Sequence, residues 1–149
     1  MAIALNLAAK PDPADIEQIL QAITDAVRAL REGVASEHQW SIVAGSVDVA
    51  RAIERQGVVR GLHEHLDSAD SALKSIRTRA LSTGRWAPTL LHYFEIDAMQ
   101  AFIGLHTFQT RQLSRAEYRR AIDSATGEIR GTGSHVTRIE IQDFVGLPA

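Results

Sequence analysis

The stretch Pro88–Leu113, PTLLHYFEIDAMQAFIGLHTFQTRQL, decides how the rest of the chain is read. It holds four of the eight Phe, Trp and Tyr residues, namely Tyr93, Phe94, Phe102 and Phe108. Two sets of positions recur in it at spacings of three and four, the period of a helix and not of a strand. Leu91, Phe94, Ala98, Ala101, Leu105 and Phe108 form one set, which is purely apolar. His92, Glu95, Met99, Phe102, His106, Gln109 and Leu113 form the other, which mixes polar with apolar groups. A helix apolar on more than one face belongs inside a bundle. The spacing therefore predicts a central helix over residues 88–113. One face packs the core; the mixed face lines a groove, packs on another helix or forms an oligomer seam. Polar residues at seam positions set register and partner choice, so the mixed face is taken as the contact surface.

Upstream, Ser82-Thr83-Gly84-Arg85-Trp86-Ala87 reads as a loop, closed by Pro88. Before it, Val59, Leu62, Leu66, Ala69, Leu73, Ile76 and Ala80 are spaced three and four in strict alternation, a heptad seam that predicts a helix over 58–81. Ser36 and Gln39 form an S-x-x-Q capping box that opens a helix over 37–56, with Trp40, Val43, Val47 and Ala50 inward. Carrying the phase from Ala50 to Val59 turns it by about 180°, so the two stripes need a break at Gln56-Gly57. Ile16, Ile19, Leu20, Ile23, Val27 and Leu30 make the stripe of a first helix over 13–32, with Asp12 as cap and Pro13 at its first turn. Downstream, Ser114 and Glu117 form an S-x-x-E box for a last helix over 115–130. Near each end a short segment alternates with strand period: Ile3, Leu5 and Leu7, and Thr137, Ile139 and Ile141. The expectation is an all-α, mostly antiparallel bundle of four to five helices, one domain over 1–149, with short extended N- and C-terminal segments.

The chain of 149 residues is 45% hydrophobic and 23% charged, ordinary for a globular domain. It has no cysteine, which removes thiolate chemistry and Cys-ligated metal sites. No signal peptide and no run near the roughly 20 apolar residues of a membrane span is present, so a cytoplasmic protein with no membrane contact is expected. Residues 1–73 hold six Lys/Arg against eleven Asp/Glu, a net of −5, and residues 74–149 hold ten against seven, a net of +3. Neither half is basic enough to announce nucleic-acid binding.

The residues that carry chemistry elsewhere do not assemble here. His63 and His65 point about 160° apart on a helix and cannot share an ion. His92 and Glu95 are three apart and could share a ligand, but His106 lies about 16 Å further along the axis. Neither Glu-x-x-His nor H-E-x-x-H occurs, and there is no G-x-S-x-G elbow, P-loop or dinucleotide fingerprint. No cofactor and no metal is implied, and the chain reads as a non-enzyme. Trp86 beside Arg85 on the loop has the form of a partner anchor. Arg115, Arg119 and Arg130 lie within about 60° of one another on the last helix, with Arg111 upstream, and form the one candidate nucleic-acid face, interrupted by Asp123.

Residues 53–130 resemble uncharacterised small helical proteins encoded on the prophages and plasmids of proteobacteria. The features that carry the resemblance are Gly57, the Ala69–Ile76 seam, Gly84-Arg85-Trp86, Glu95, Leu105-His106 and Gln109. It implies an accessory role on a mobile element and supplies no reaction. The expected function is a non-enzymatic interaction or regulatory module acting as a homo-oligomer, a dimer, with Trp86, His92, Glu95, Met99, Phe102 and His106 as partner-binding residues and room for a further protein partner. The alternative is nucleic-acid binding through Arg111, Arg115, Arg119 and Arg130.

Overall fold

A computed structural model describes residues 13–57 and 59–132, with side chains described from Glu17 to Gly127 apart from Val58. The chain folds as a bundle of five helices: α1 (Pro13–Arg31), α2 (Glu37–Gln56), α3 (His63–Ala80), α4 (Tyr93–Gln112) and α5 (Arg115–Thr132). No strand occurs among the described residues, and both alternating terminal segments lie outside them.

Each helix boundary has a local cause. Ser36 Oγ accepts from Gln39 N–H at 3.1 Å while Ser36 N–H donates to Gln39 Oε1 at 2.9 Å, so two of the orphan donors at the start of α2 are satisfied. Ser114 and Glu117 do the same for α5, at 3.1 and 2.7 Å. Gly57 ends α2 in the left-handed region, at φ +82°. Gly61 adopts φ +87° as well. Val59 and Arg60 are not helical, and α3 starts at His63 rather than at 58. Val59 and Leu62 still reach the core, and every residue of the predicted heptad seam is buried.

The pairings across the bundle fix its topology. Trp40 Nε1 donates to Leu73 O at 2.9 Å and Arg51 Nη2 meets Asp67 Oδ1 at 2.9 Å, so α2 and α3 run antiparallel. Arg111 meets Glu17 at 2.7 Å, and Leu90 reaches Gly33 at the other end, so α1 and α4 are antiparallel too. α1 to α4 thus form an up-down-up-down four-helix arrangement, with α2 and α4 diagonal and parallel. α5 lies outside the four, against α2, where Gln56 Nε2 donates to Glu117 O at 3.0 Å.

The central helix is α2, not the 88–113 segment. It packs against all four other helices. Its buried residues accordingly spread over most of its circumference, from Trp40, Val43 and Val47 to Val49, Ala52 and Ile53. Stacked on them are Ile23, Val27 and Leu30 from α1, Leu66, Leu73 and Ile76 from α3, Met99 and Phe102 from α4, and Ile122 and Ala125 from α5. At roughly 1.5–3 kcal/mol for each large apolar side chain fully buried, this cluster is the main favourable term in folding.

Candidate functional site

α4 begins five residues later than the spacing predicts, and the delay sets up the rest of the site. Arg79, near the end of α3, donates through Nη1 and Nη2 to both carboxylate oxygens of Glu95, at 2.7 and 2.6 Å. Its Nη2 also reaches Leu90 O at 3.2 Å, which ties the non-helical residues before α4 to the end of α3. The His92 N–H donates to Glu95 Oε1 at 2.7 Å, which makes His92 the N-cap and Glu95 the third helical residue. The pair His92 and Glu95, three apart, is thus a helix start rather than a ligand pair.

Glu95 is fully buried. Burial alone pushes its carboxyl up, but the Arg79 guanidinium, the His92 N–H and Ser75 outweigh it and hold it below the ordinary carboxylate range. The same bond holds Arg79 above its usual value, against desolvation. The ion pair therefore stays charged inside the bundle end, with bidentate geometry of the strong kind.

The mixed face of α4 is the core face. Glu95, Met99, Phe102, His106, Gln109 and Leu113 are all buried within the chain. His106 stacks on Phe102 with ring centroids 5.3 Å apart and an interplanar angle of 13°. Gln109 Nε2 donates to Ala50 O at 3.1 Å, and Gln109 Oε1 lies 3.1 Å from His106 Nδ1. Since the amide N–H of Gln109 points to Ala50, its oxygen is left to accept, which places the proton of the neutral imidazole on Nδ1. The expectation that this face meets a partner is corrected here. Its buried polar groups have partners within the same chain, Arg79 of α3 for Glu95, Ala50 O of α2 for Gln109 and Gln109 itself for His106, so they can face the interior.

Trp86 also faces its own chain. Its Nε1 donates to Ala35 O at 2.8 Å and its ring packs 6.5 Å from that of Trp40. Arg77 in turn lies over Trp40, 5.7 Å from the ring centre. Trp86 pins the loop to the bundle end and roofs a small cavity bounded by Leu30, Ile76 and Ala80, no roomier than a water. Of the predicted partner-binding residues, His92 alone is exposed, its ring 5.9 Å from that of Phe94.

The second, apolar face of α4 is left partly in solvent: Leu91, Ala98 and Leu105 pack against the core, and its other members do not. Leu90, Tyr93, Phe94 and Phe108 are 75%, 88%, 55% and 54% exposed. Ala101 is exposed as well, and Leu91, Ala98 and Leu105 are half-buried. Phe94, Ala98, Ala101, Leu105 and Phe108 fall within about 40° of one line at 100° per residue, so they form a straight ridge. No Lys, Arg, Asp or Glu occurs from Ala98 to Thr110. That charge-free run of a helix with one polar-speckled core face was the signal available in the sequence for this surface.

The arginines are dispersed. Arg111 is engaged by Glu17, Arg115 is half-buried and Arg119 is exposed. Arg130 belongs to the last turns of α5, beyond the described side chains. Among the described residues no three His, Asp or Glu side chains are placed to hold one metal ion, and no helix is long and apolar enough to cross a membrane. Compared with models of protein families, with curated proteins and with solved structures, the chain matches none.

Proposed function

We propose that this chain is a non-enzymatic protein-interaction module that acts as a homo-oligomer and docks through the apolar ridge of α4. One observation carries the reading: Tyr93, Phe94 and Phe108 on α4, with Leu90 just before it, keep more than half of their surface in solvent, and no charge occurs between Ala98 and Thr110. Monomeric proteins rarely leave contiguous apolar patches above a few hundred Å² uncovered, and larger ones mark sites of contact. With aromatic side chains burying about 150–250 Å² each, the four exposed groups present on the order of 500 Å². An accessory or regulatory role on a mobile element, as the resemblance implies, fits a module of this kind.

Light scattering on the purified chain at micromolar concentration tests the reading. A particle of twice the 16.3 kDa chain mass is expected. The double substitution Phe94→Glu with Phe108→Glu should halve that mass while leaving the helical content unchanged. A wild-type monomer would overturn the homo-oligomer.

A further inference from the structure

No residue from 81 to 92, the connector between α3 and α4, is fully buried. Its first part stays wound onto α3, since Ser82 N–H and Gly84 N–H donate to Arg79 O and Leu81 O at 3.2 and 3.0 Å. Its last residue, His92, is fixed by the Glu95 carboxylate, which Arg79 in turn ties to α3. Between these points, among the described residues, three hydrogen bonds hold residues 86–91 to the bundle. Trp86 Nε1 donates to Ala35 O and Ala87 N–H to Ala80 O, each at 2.8 Å, and Arg79 Nη2 donates to Leu90 O at 3.2 Å. Beneath them Leu30, Ile76 and Ala80 are buried.

The segment closes imperfectly. Trp86, Pro88 and Thr89 roof the water-sized cavity over Leu30, Ile76 and Ala80, and Thr89 Oγ1 is buried without a hydrogen-bond partner. An unpaired buried hydroxyl costs its desolvation, and atoms that line a void lack part of their dispersion contacts. Both penalties belong to the closed state, and the first vanishes when water reaches the hydroxyl. Little opposes that, because Trp86 and Leu91 are the segment's side chains against the core and both are half-buried. Few buried apolar contacts and few backbone bonds mark a segment at the low-stability end of a fold. From this we infer that residues 86–91 form a strap that opens as a unit while the helices stay folded, baring the apolar floor of Leu30, Ile76 and Ala80.

The Arg79–Glu95 pair makes such an opening local. It joins the end of α3 to the first turn of α4 through both carboxylate oxygens, so the two ends of the strap stay together whether it is shut or open. Opening then breaks no contact between helices, and reclosing costs only the freedom of the strap itself. An open strap also uncovers the ring of Trp40, which packs 6.5 Å from that of Trp86. The device is a switchable apolar surface at the bundle end, separate from the ridge of α4, and it stands or falls independently of the docking reading.

The chain has no cysteine, so single engineered thiols report the opening in the full chain. Ala80→Cys places one under the strap and Ala69→Cys one further back on α3, both at buried positions. Each is reacted with an aromatic disulfide reagent in rising urea. Ala80→Cys should react about tenfold faster or more without urea, at a rate that low urea barely changes, because strap opening exposes little surface. Ala69→Cys should follow urea as global unfolding does. Gly127→Ala, in α5, should slow labelling at Ala69→Cys and leave Ala80→Cys unchanged. Thr89→Val removes the orphan hydroxyl at nearly constant shape and should slow labelling at Ala80→Cys about tenfold. Ile76→Cys, in the same floor, replaces Ala80→Cys if that variant loses its helical content. Equal rates and equal urea slopes at the two thiols would overturn the strap, since it would then move only with the whole bundle. So would labelling of Ala80→Cys as fast as an exposed thiol, or a Thr89→Val chain that labels no more slowly.

Discussion

His106 sits between Phe102 and Gln109 in the middle of the bundle, where its surroundings favour the neutral ring. Burial drives its pKa down, the Gln109 bond opposes this only in part, and the value falls from 6.5 to about 4. In the unfolded chain the same imidazole takes a proton near pH 6.5. Between those two values the unfolded state binds more protons than the native one, so stability is complete above pH 6.5 and declines as the pH falls toward 4. At 1.36 kcal/mol per unit, this one residue should remove about 2 kcal/mol of unfolding free energy between pH 7 and pH 5. Urea unfolding at the two pH values checks it. His106→Leu should be less stable at pH 7, since Gln109 Oε1 loses its donor, yet its stability should fall by about 2 kcal/mol less on acidification. An unchanged pH dependence would mean that His106 is not sealed from water. Glu95 acts lower on the scale. Its carboxyl is held below the ordinary range by Arg79, so its contribution is present above about pH 4.5 and fades only below that.

At the scale of the helix, start and stop signals were the most legible part of the sequence. Both capping boxes form as their spacing requires, and Gly57 closes α2 where the two apolar phases conflict. The heptad seam of α3 is buried throughout, although Gly61 keeps its first residues out of the helix. What spacing could not supply was which face of α4 points inward. Periodicity scores His106, Gln109 and Glu95 as polar, yet Ala50 O and Arg79 satisfy Gln109 and Glu95 from other helices, 59 and 16 residues away in the chain, and Gln109 in turn satisfies His106. The spacing within one helix therefore points the mixed face outward, whereas the fold buries it. The same spacing makes α4 the centre, because α2 looks less apolar while being packed on more sides. The glycines offer a test at this scale with opposite signs. Gly57→Ala must hold an alanine at φ +82° and place its Cβ 2.7 Å from Arg60 Nη2, a flexible group that can move aside. The backbone term remains, and a loss of about 1–2 kcal/mol is expected. Gly127→Ala lies within α5 with nothing near its added methyl and should gain about 0.5–1 kcal/mol. Urea midpoints with unchanged slopes report both. Equal effects at the two sites would refute the left-handed stop at Gly57.

On the scale of the whole molecule, the two faces of α4 divide folding from association. The inward face is completed by α1, α2 and α3 of the same chain, so the bundle needs no second copy to bury Met99, Phe102 or His106. The ridge contributes little to the monomer, because Tyr93, Phe94 and Phe108 keep half or more of their surface in solvent. Association should then stabilise the native state only by mass action, and thermal stability should depend on protein concentration. If the dimer dissociates in the micromolar range, raising the chain from well below to a hundredfold above its dissociation constant adds about 2.7 kcal/mol. For a domain of this size that shifts Tm by roughly 5–15 °C. Phe94→Glu with Phe108→Glu should abolish the concentration dependence and leave Tm at the dilute wild-type value, since neither side chain supports the core. A double variant that melts well below dilute wild type would show that the ridge holds the bundle together, and its exposure would then have no bearing on a partner.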